Sequence, residues 1–312
     1  MTEFGFIENI ARMFGGVPSR GFEGIGDDCA VLPLDDGSAL VFTTDVLVED
    51  VHFLRSAASA VEIGRKSLAV NLSDVAAMGA EPVASMLSLA LPADAAGTWA
   101  EEFMKGYLEL SERWSVPLVG GDTSASKSGV TVNVVAIGRT RQQNLKRRSS
   151  ARAGDVIMVG GPLGASAEGL RDILAGHADS ENALIHKNPA PQVAEGAWLG
   201  GRTEVRAMMD LSDGLASDLK HILKASGVGA RVDVGKIPAV SDVGTAVCGG
   251  EDYKLLFTVE RKSSALLSAA FHKKFGYEPV AIGEITASDD CRIEWCADGV
   301  PFEPDWRGFS HF

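Results

Sequence analysis

Apolar residues recur at helical spacing over residues 4–14, which predicts an opening helix. Two short runs with strand character, 30–34 and 39–43, flank the Asp35-Asp36-Gly37 turn and predict a hairpin. A long helical stretch follows over 60–78 and stops at Gly79; beyond it the pattern predicts a strand over 85–91 and a helix over 95–114. Strands over 117–120 and 130–138 close this half. The second half repeats the mixture, with strands at 156–159, 230–234, 255–259, 280–285 and 292–295 and another reaching Asp210. Its helices are expected after Gly164 and over 191–199, 215–225 and 263–275. Both halves mix helices with hairpins, so the expected class is α+β with two mixed α/β domains, and a doubly wound sheet fits less well.

The length agrees with two domains, since 312 residues are about twice a common domain size. A change of composition marks where they meet. Arg139, Arg141, Lys146, Arg147, Arg148 and Arg152 follow one another with no acid until Asp155, in a chain whose net charge is −13. The expected domains are therefore 1–140 and 141–312. That net charge repels nucleic acid and anionic membrane, so neither is an expected partner, and an anionic substrate has to arrive with cations. Apolar runs end well short of the ~20 residues a membrane helix needs. The first residues lack a basic leader, so the expected setting is the cytoplasm. Cys29, Cys248, Cys291 and Cys296 are too scattered for a disulfide framework or a zinc site and read as reduced thiols.

Carboxylates gather in short motifs: Gly26-Asp27-Asp28, Thr43-Thr44-Asp45, Asn71-Leu72-Ser73-Asp74, Gly120-Gly121-Asp122-Thr123, Asp210-Leu211-Ser212-Asp213-Gly214 and Gly249-Gly250-Glu251-Asp252. Each alone suits a turn or a helix cap. Together they have few cationic neighbours, and adjacent carboxylates without cations repel unless a metal neutralises them. Oxygen ligands of this kind select hard ions such as Mg²⁺. Asp45 ends a strand-like run, Asp74 stacks with Asn71 and Ser67 as a polar line on an apolar helix, and Asp122 follows two glycines that allow backbone amides near a ligand. No P-loop and no protein-kinase signature occurs. The Gly160-Gly161-Pro162-Leu163-Gly164 run reads as a structural turn.

These motifs, with His52-Phe53, Lys66 to Asp74, Gly249 to Tyr253 and the closing Asp305 to Phe312, resemble the thiamine-monophosphate kinases of the aminoimidazole ribonucleotide synthetase-like superfamily, in order along nearly the whole chain. The resemblance implies an N-terminal sheet that pairs with its counterpart in a homodimer. It implies Mg²⁺ at Asp28, Thr43, Thr44, Asp45, Asp74, Asp122, Asp210 and Asp213, and ATP at Tyr107, Gly121, Asp122, Arg148 and Ser212. Thiamine monophosphate is implied at His52, Glu251, Trp306 and Phe309. Glu49-Asp50 adds acid before His52 where the family often has a small residue, and Phe309 stands where Tyr or Trp is common. The implied reaction makes thiamine diphosphate by direct transfer without a phosphoenzyme. A phosphate monoester is already mostly a dianion at neutral pH, so the lack of an obvious general base fits. Two rivals remain open at this point. One is a related ATP-dependent synthetase that activates an amide or a selenide, of which the selenium kind should carry a reactive Cys or Sec in residues 15–26, which hold none; the other is a non-catalytic nucleotide or divalent-cation binder, which would bind ATP and Mg²⁺ without turnover.

Overall fold

The computed structural model describes residues 3–309, so the last three residues of the aromatic C-terminal motif, 310–312, lie outside the described residues. The N-terminal part contains α1 (Glu3–Phe14), β1 (Ala30–Pro33), β2 (Ser38–Val48), α2 (Ala60–Ala77), β3 (Glu81–Leu91), α3 (Thr98–Trp114), β4 (Leu118–Ala125) and β5 (Thr131–Arg141). The C-terminal part contains β6 (Val156–Val159), α4 (Ala165–Leu174), α5 (Glu181–Lys187), α6 (Val193–Gly200), β7 (Val205–Asp210), α7 (Leu215–Ser226), β8 (Gly229–Asp233) and α8 (Val243–Cys248), then β9 (Leu255–Val259), α9 (Ser264–Phe275), β10 (Val280–Thr286), β11 (Ile293–Ala297) and β12 (Val300–Phe302).

Among the described residues the strands form two sheets, ordered β1-β2-β5-β3-β4 and β12-β11-β8-β10-β6-β9-β7. Most pairings are antiparallel and helices pack against the sheets, which is the mixed two-domain architecture the pattern predicts. No helix among the described residues is long and apolar enough to cross a membrane.

One element belongs to both domains. Helix α2 starts at Ser59, whose hydroxyl accepts from the Glu62 amide while the Glu62 carboxylate accepts from the Ser59 amide at 2.7 Å, a capping box that fixes its first turn. Nearly every residue of α2 is buried, as expected for a helix enclosed on all sides. Its Leu68 and Leu72 pack with Phe103 of α3 and with Val132 and Val134 of β5. Its last turn, Ala76 and Ala77, joins Met208, Leu255 and Phe257 of the second sheet in another core cluster. Anything polar on this helix is therefore held rigidly between two sheets.

Strand β2 pairs with β5 in unbroken register from Ser38↔Arg141 to Val48↔Thr131. Side chains alternate along it. Ala39, Val41 and Thr43 are buried toward α2, which sets Asp45 on that inner face and Thr44, which is exposed, on the other.

Strand β4 corrects an expectation. The run over 117–120 predicts a short strand, but β4 continues through Gly120-Gly121-Asp122 because it pairs with β3 in parallel, Leu87 opposite Gly121. A Cβ at Gly121, where φ is +154°, would lie 1.8 Å from the Leu87 carbonyl oxygen. The close approach of its neighbouring strand requires that glycine.

Candidate active site

The second sheet and the first meet along α2, and the acidic motifs that hold Asp28, Asp45, Asp74, Asp210 and Asp213 converge there. Carboxylate oxygens of Asp28, Asp74 and Asp210 lie within 4.8 Å of one another, one from the loop before β1, one from α2 and one from the end of β7. The Asp28 side chain is 1% exposed, and Asp210 is likewise buried. Neighbouring hydroxyls hold the carboxylates in place: Thr43 donates to Asp74, and Ser73 donates to Asp210 at 2.5 Å. Asn71 accepts from the Asp45 amide at 3.0 Å, so the polar line along α2 is engaged as its spacing suggests.

Charge in this cluster is poorly compensated. Burial, then repulsion from Asp45, Asp210 and Asp28, drives the Asp74 carboxyl well above the ordinary carboxylate range. Burial and the Asp28 charge push Asp210 up to about 7, and burial with Asp213 and Asp28 pushes Asp45 up to about 6. Among the described residues their strong cationic partner is Arg148, whose guanidinium donates to Asp28 at 2.8 Å and whose amide donates to Asp27 at 2.7 Å. Asp27 is itself raised to about 6, chiefly by burial. Oxygen donors that are crowded, buried and short of cations fit a hard divalent ion.

From Asp45 and Asp213 a cleft of about 910 Å³ opens between the domains. His52, Glu251, Ser166, His186 and Phe309 also line it. His52 Nδ1 accepts from the Val48 amide at 3.0 Å, so the neutral ring carries its proton on Nε2. Glu251 lies in the left-handed region at φ +62°, and its amide donates to the Ser212 carbonyl at 2.7 Å. Its neighbours in the motif do other work. Asp252 accepts from the Gly164 and Ser166 amides at the start of α4, and Tyr253 packs in the N-terminal core. The Phe309 amide donates to the Asp213 carbonyl at 3.0 Å; the preceding Gly308 permits this, since a Cβ there would meet the same carbonyl oxygen at 2.6 Å.

Several expected residues stand elsewhere. Tyr107 is 1% exposed, and its hydroxyl donates to Ser85 at 2.8 Å inside the N-terminal core, which separates it from the cleft. Thr44 faces the opposite side of β2 from Asp74, with its hydroxyl accepting from Asn133 at 2.8 Å. Gly121 and Asp122 lie on exposed β4, the edge strand, three places from β2 in the sheet. Trp306 packs edge-on against Trp295, with ring centres 5.0 Å apart, and against the C-terminal core, while Phe309 faces the cleft. Glu49, the extra acid before His52, is tied to Arg55 at 2.7 Å and to the Val130 amide at 2.7 Å.

The structure adds residues that pattern alone passed over. Asp218 accepts from the Asp213 and Gly214 amides and so shapes the Asp-Gly turn; an acid in the first turn of a predicted helix is the signal that could have found it. Lys66, His186 and Ser166 surround Glu251, and for His186 no sequence signal exists.

Residues 26–140 match the family described as AIR synthase related protein, N-terminal domain, and residues 152–296 match AIR synthase related protein, C-terminal domain. The chain is 39% identical to the thiamine-monophosphate kinase of Escherichia coli strain K12 over 97% of each chain. Among solved structures it is similar to AaThiL complexed with AMPPCP and TMP, at 30% identity and a TM-score of 0.85, covering 100% of this chain and 97% of that one. It is also similar to thiamine-monophosphate kinase from Stenotrophomonas maltophilia K279a, at 33% identity and a TM-score of 0.76, covering 96% and 98%. Matches to both domain families, and to kinases over nearly their full length, establish that the chain belongs to the thiamine-monophosphate kinase family of AIR synthase related proteins.

Proposed function

We propose that this chain transfers a phosphoryl group from ATP to thiamine monophosphate, giving thiamine diphosphate, in the cytoplasm. The observation that carries the reading is a cleft lined by His52, Glu251 and Phe309 together with Asp45 and Asp213, whose carboxyls neighbour the buried Asp28, Asp74 and Asp210 cluster. The family relationship supports the same assignment.

The acceptor phosphate is a dianion near neutral pH and needs no base, so the obstacle is bringing two polyanions together. Asp28, Asp45, Asp74, Asp210 and Asp213, with the Thr43 hydroxyl beside them, are the residues that would hold Mg²⁺. When bound, divalent magnesium supplies charge neutralisation and alignment of donor and acceptor phosphates. Arg148, anchored by Asp28, and Ser212 in the Asp-Leu-Ser-Asp-Gly turn would contact ATP. The His52 Nε2 proton would meet the acceptor phosphate. Phe309 would lie against the cationic thiazolium, whose attraction to an aromatic face contributes roughly 0.5–2 kcal/mol.

Asp122 and Gly121 enter through a second chain. Strand β4 presents an unpaired edge with all eight residues exposed, Leu118 and Val119 among them. An edge of that kind is a ready pairing surface. A homodimer formed there would carry Asp122 toward the partner's cleft, and this is the role we assign to it.

The deciding experiment incubates the purified chain with ATP, Mg²⁺ and thiamine monophosphate and follows thiamine diphosphate by chromatography. Formation of the diphosphate is expected. ATP binding with no diphosphate would leave a nucleotide-binding protein and remove the kinase reading.

A further inference from the structure

We propose that Lys66 is a positioning residue for the acceptor side of the cleft: its ammonium joins the Glu251 carboxylate of the C-terminal domain to the His52 loop of the N-terminal domain and fixes both against the substrate. The proposal rests on the reading above that Glu251 and His52 meet thiamine monophosphate.

Lys66 lies in the first half of α2 and is 3% exposed. Its Nζ is 2.9 Å from Glu251 Oε1 and donates to the His52 carbonyl at 3.1 Å. An ammonium has three protons to donate and accepts nothing, so a buried one has to be matched by acceptors, and these two come from different domains. A buried ion pair adds little net stability over an apolar pair of the same size, so the effect of this one falls on geometry. Both Glu251 oxygens are engaged, since Oε2 lies 3.4 Å from His186 Nδ1, and that nitrogen is 2.9 Å from Ser166 Oγ.

Charge follows the same arrangement. Burial works to raise the Glu251 pKa, and the Lys66 charge on α2, with the imidazoles of His186 on α5 and His52 on the loop after β2 beside it, outweighs it, leaving the carboxyl below its ordinary value. His186 is held neutral near pH 7 because burial, with the Lys66 charge, lowers it to about 4. Lys66 thus supplies the buried ammonium that Glu251 faces. Removing it leaves the carboxylate beside a neutral ring, free to rotate or take up a proton, and releases the His52 loop.

The test compares wild type, Lys66→Met, Lys66→Arg, Glu251→Gln and the Lys66→Met/Glu251→Gln double variant by steady-state kinetics with each substrate varied. Lys66→Met is expected to raise KM for thiamine monophosphate roughly 10- to 100-fold, the scale of a misplaced binding group, while KM for ATP stays within about twofold. Because Lys66 acts through Glu251, the double variant should be no worse than Lys66→Met alone. Should Lys66→Met not fold, Lys66→Arg, which keeps the charge and moves it, is expected to raise the thiamine monophosphate KM alone. Equal rises in both KM values, or fully additive losses in the double variant, overturn the positioning role. A wild type that makes no thiamine diphosphate overturns the kinase reading itself, whereas an active wild type with unaltered Lys66 variants overturns only this inference.

Discussion

Two polar clusters packed on the same helix, α2, treat charge in opposite ways. Lys66 and Ser73 lie on one stripe of α2, about 10 Å apart along its axis at 1.5 Å per residue. At the Ser73 end, Asp28, Asp74 and Asp210 crowd together with Arg148 as their main counter-charge. At the Lys66 end, Glu251 is met by an ammonium and by an imidazole. Burial alone would raise the pKa of every carboxyl here. It does so for Asp74, Asp210 and Asp45, and the cation beside Glu251 reverses it. The first end is short of cations, which is why we assign metal-bound phosphates to it. The second is complete in itself and suits an organic ligand that must be oriented.

The largest effect should come from breaking the uncompensated end. Asp74→Asn is expected to lower kcat by at least about 10²- to 10³-fold, with little loss of metal-free stability, because the change removes a repelling charge at nearly constant volume. Near-normal turnover in that variant, measured beside a thermal melt, would remove the metal-cluster model. Asp122→Asn should be as damaging if β4 serves the partner's cleft. Co-expression then gives a sharper readout: mixed dimers of Asp74→Asn and Asp122→Asn chains should regain activity that neither shows alone. No recovery in mixed dimers would place Asp122 outside the partner's site.

The pH dependence of metal binding distinguishes the same two ends. Asp210, Asp45 and Asp74 have folded-state pKa values above the ordinary carboxylate range, so the stability linked to them is present at low pH and is lost as pH rises through about 6 to 7 and beyond. Mg²⁺ competes with those protons, so its stabilising increment should grow from pH 6.5 to 8.5. His186 and His221, lowered to about 4 by burial, act in the opposite sense, contributing stability above about 6.5 that is lost as pH falls toward 4. The chosen window lies above their range. A metal-dependent rise of several degrees, roughly 2.7 kcal/mol at a hundredfold excess over Kd, is the expected scale at pH 8.5. An increment that is flat with pH would mean that the carboxylates are not the ligands.

Legibility in the sequence differed between the ends for a physical reason. The carboxylate end is written in local periodicity: strand alternation puts Thr43 and Asp45 on one face, and helical spacing stacks Ser67, Asn71 and Asp74. The Glu251 end depends on contacts between segments far apart in sequence, and α5, which delivers His186, is only seven residues long and carries no periodic signal. The same limit hid β4, whose length is set by pairing with β3 and not by its own glycine-rich residues. It also hid the division of labour among Glu251, Asp252 and Tyr253, three consecutive residues that serve a cleft, a helix start and a core. Tyr107 reads as a binding residue only by resemblance, and its helix turns it inward.

The smallest expected effect separates two aromatic residues that the C-terminal motif places three apart. Phe309 is half exposed and lines the cleft, whereas Trp306 is wedged between Trp295 and Phe302 on the C-terminal core. If Phe309 covers the thiazolium, Phe309→Ala loses a cation–π contact of about 0.5–2 kcal/mol, which corresponds to roughly a 2- to 30-fold loss in thiamine monophosphate affinity. ATP affinity should hardly move, because the nucleotide is assigned to the other wall. Trp306→Ala should instead lower the melting temperature through lost packing and change the affinity for either ligand little. Calorimetry with both ligands on both variants reads the contrast directly. If Phe309→Ala weakens ATP and thiamine monophosphate equally, or melts as early as Trp306→Ala, then Phe309 is packing and the acceptor wall of the cleft ends at Glu251.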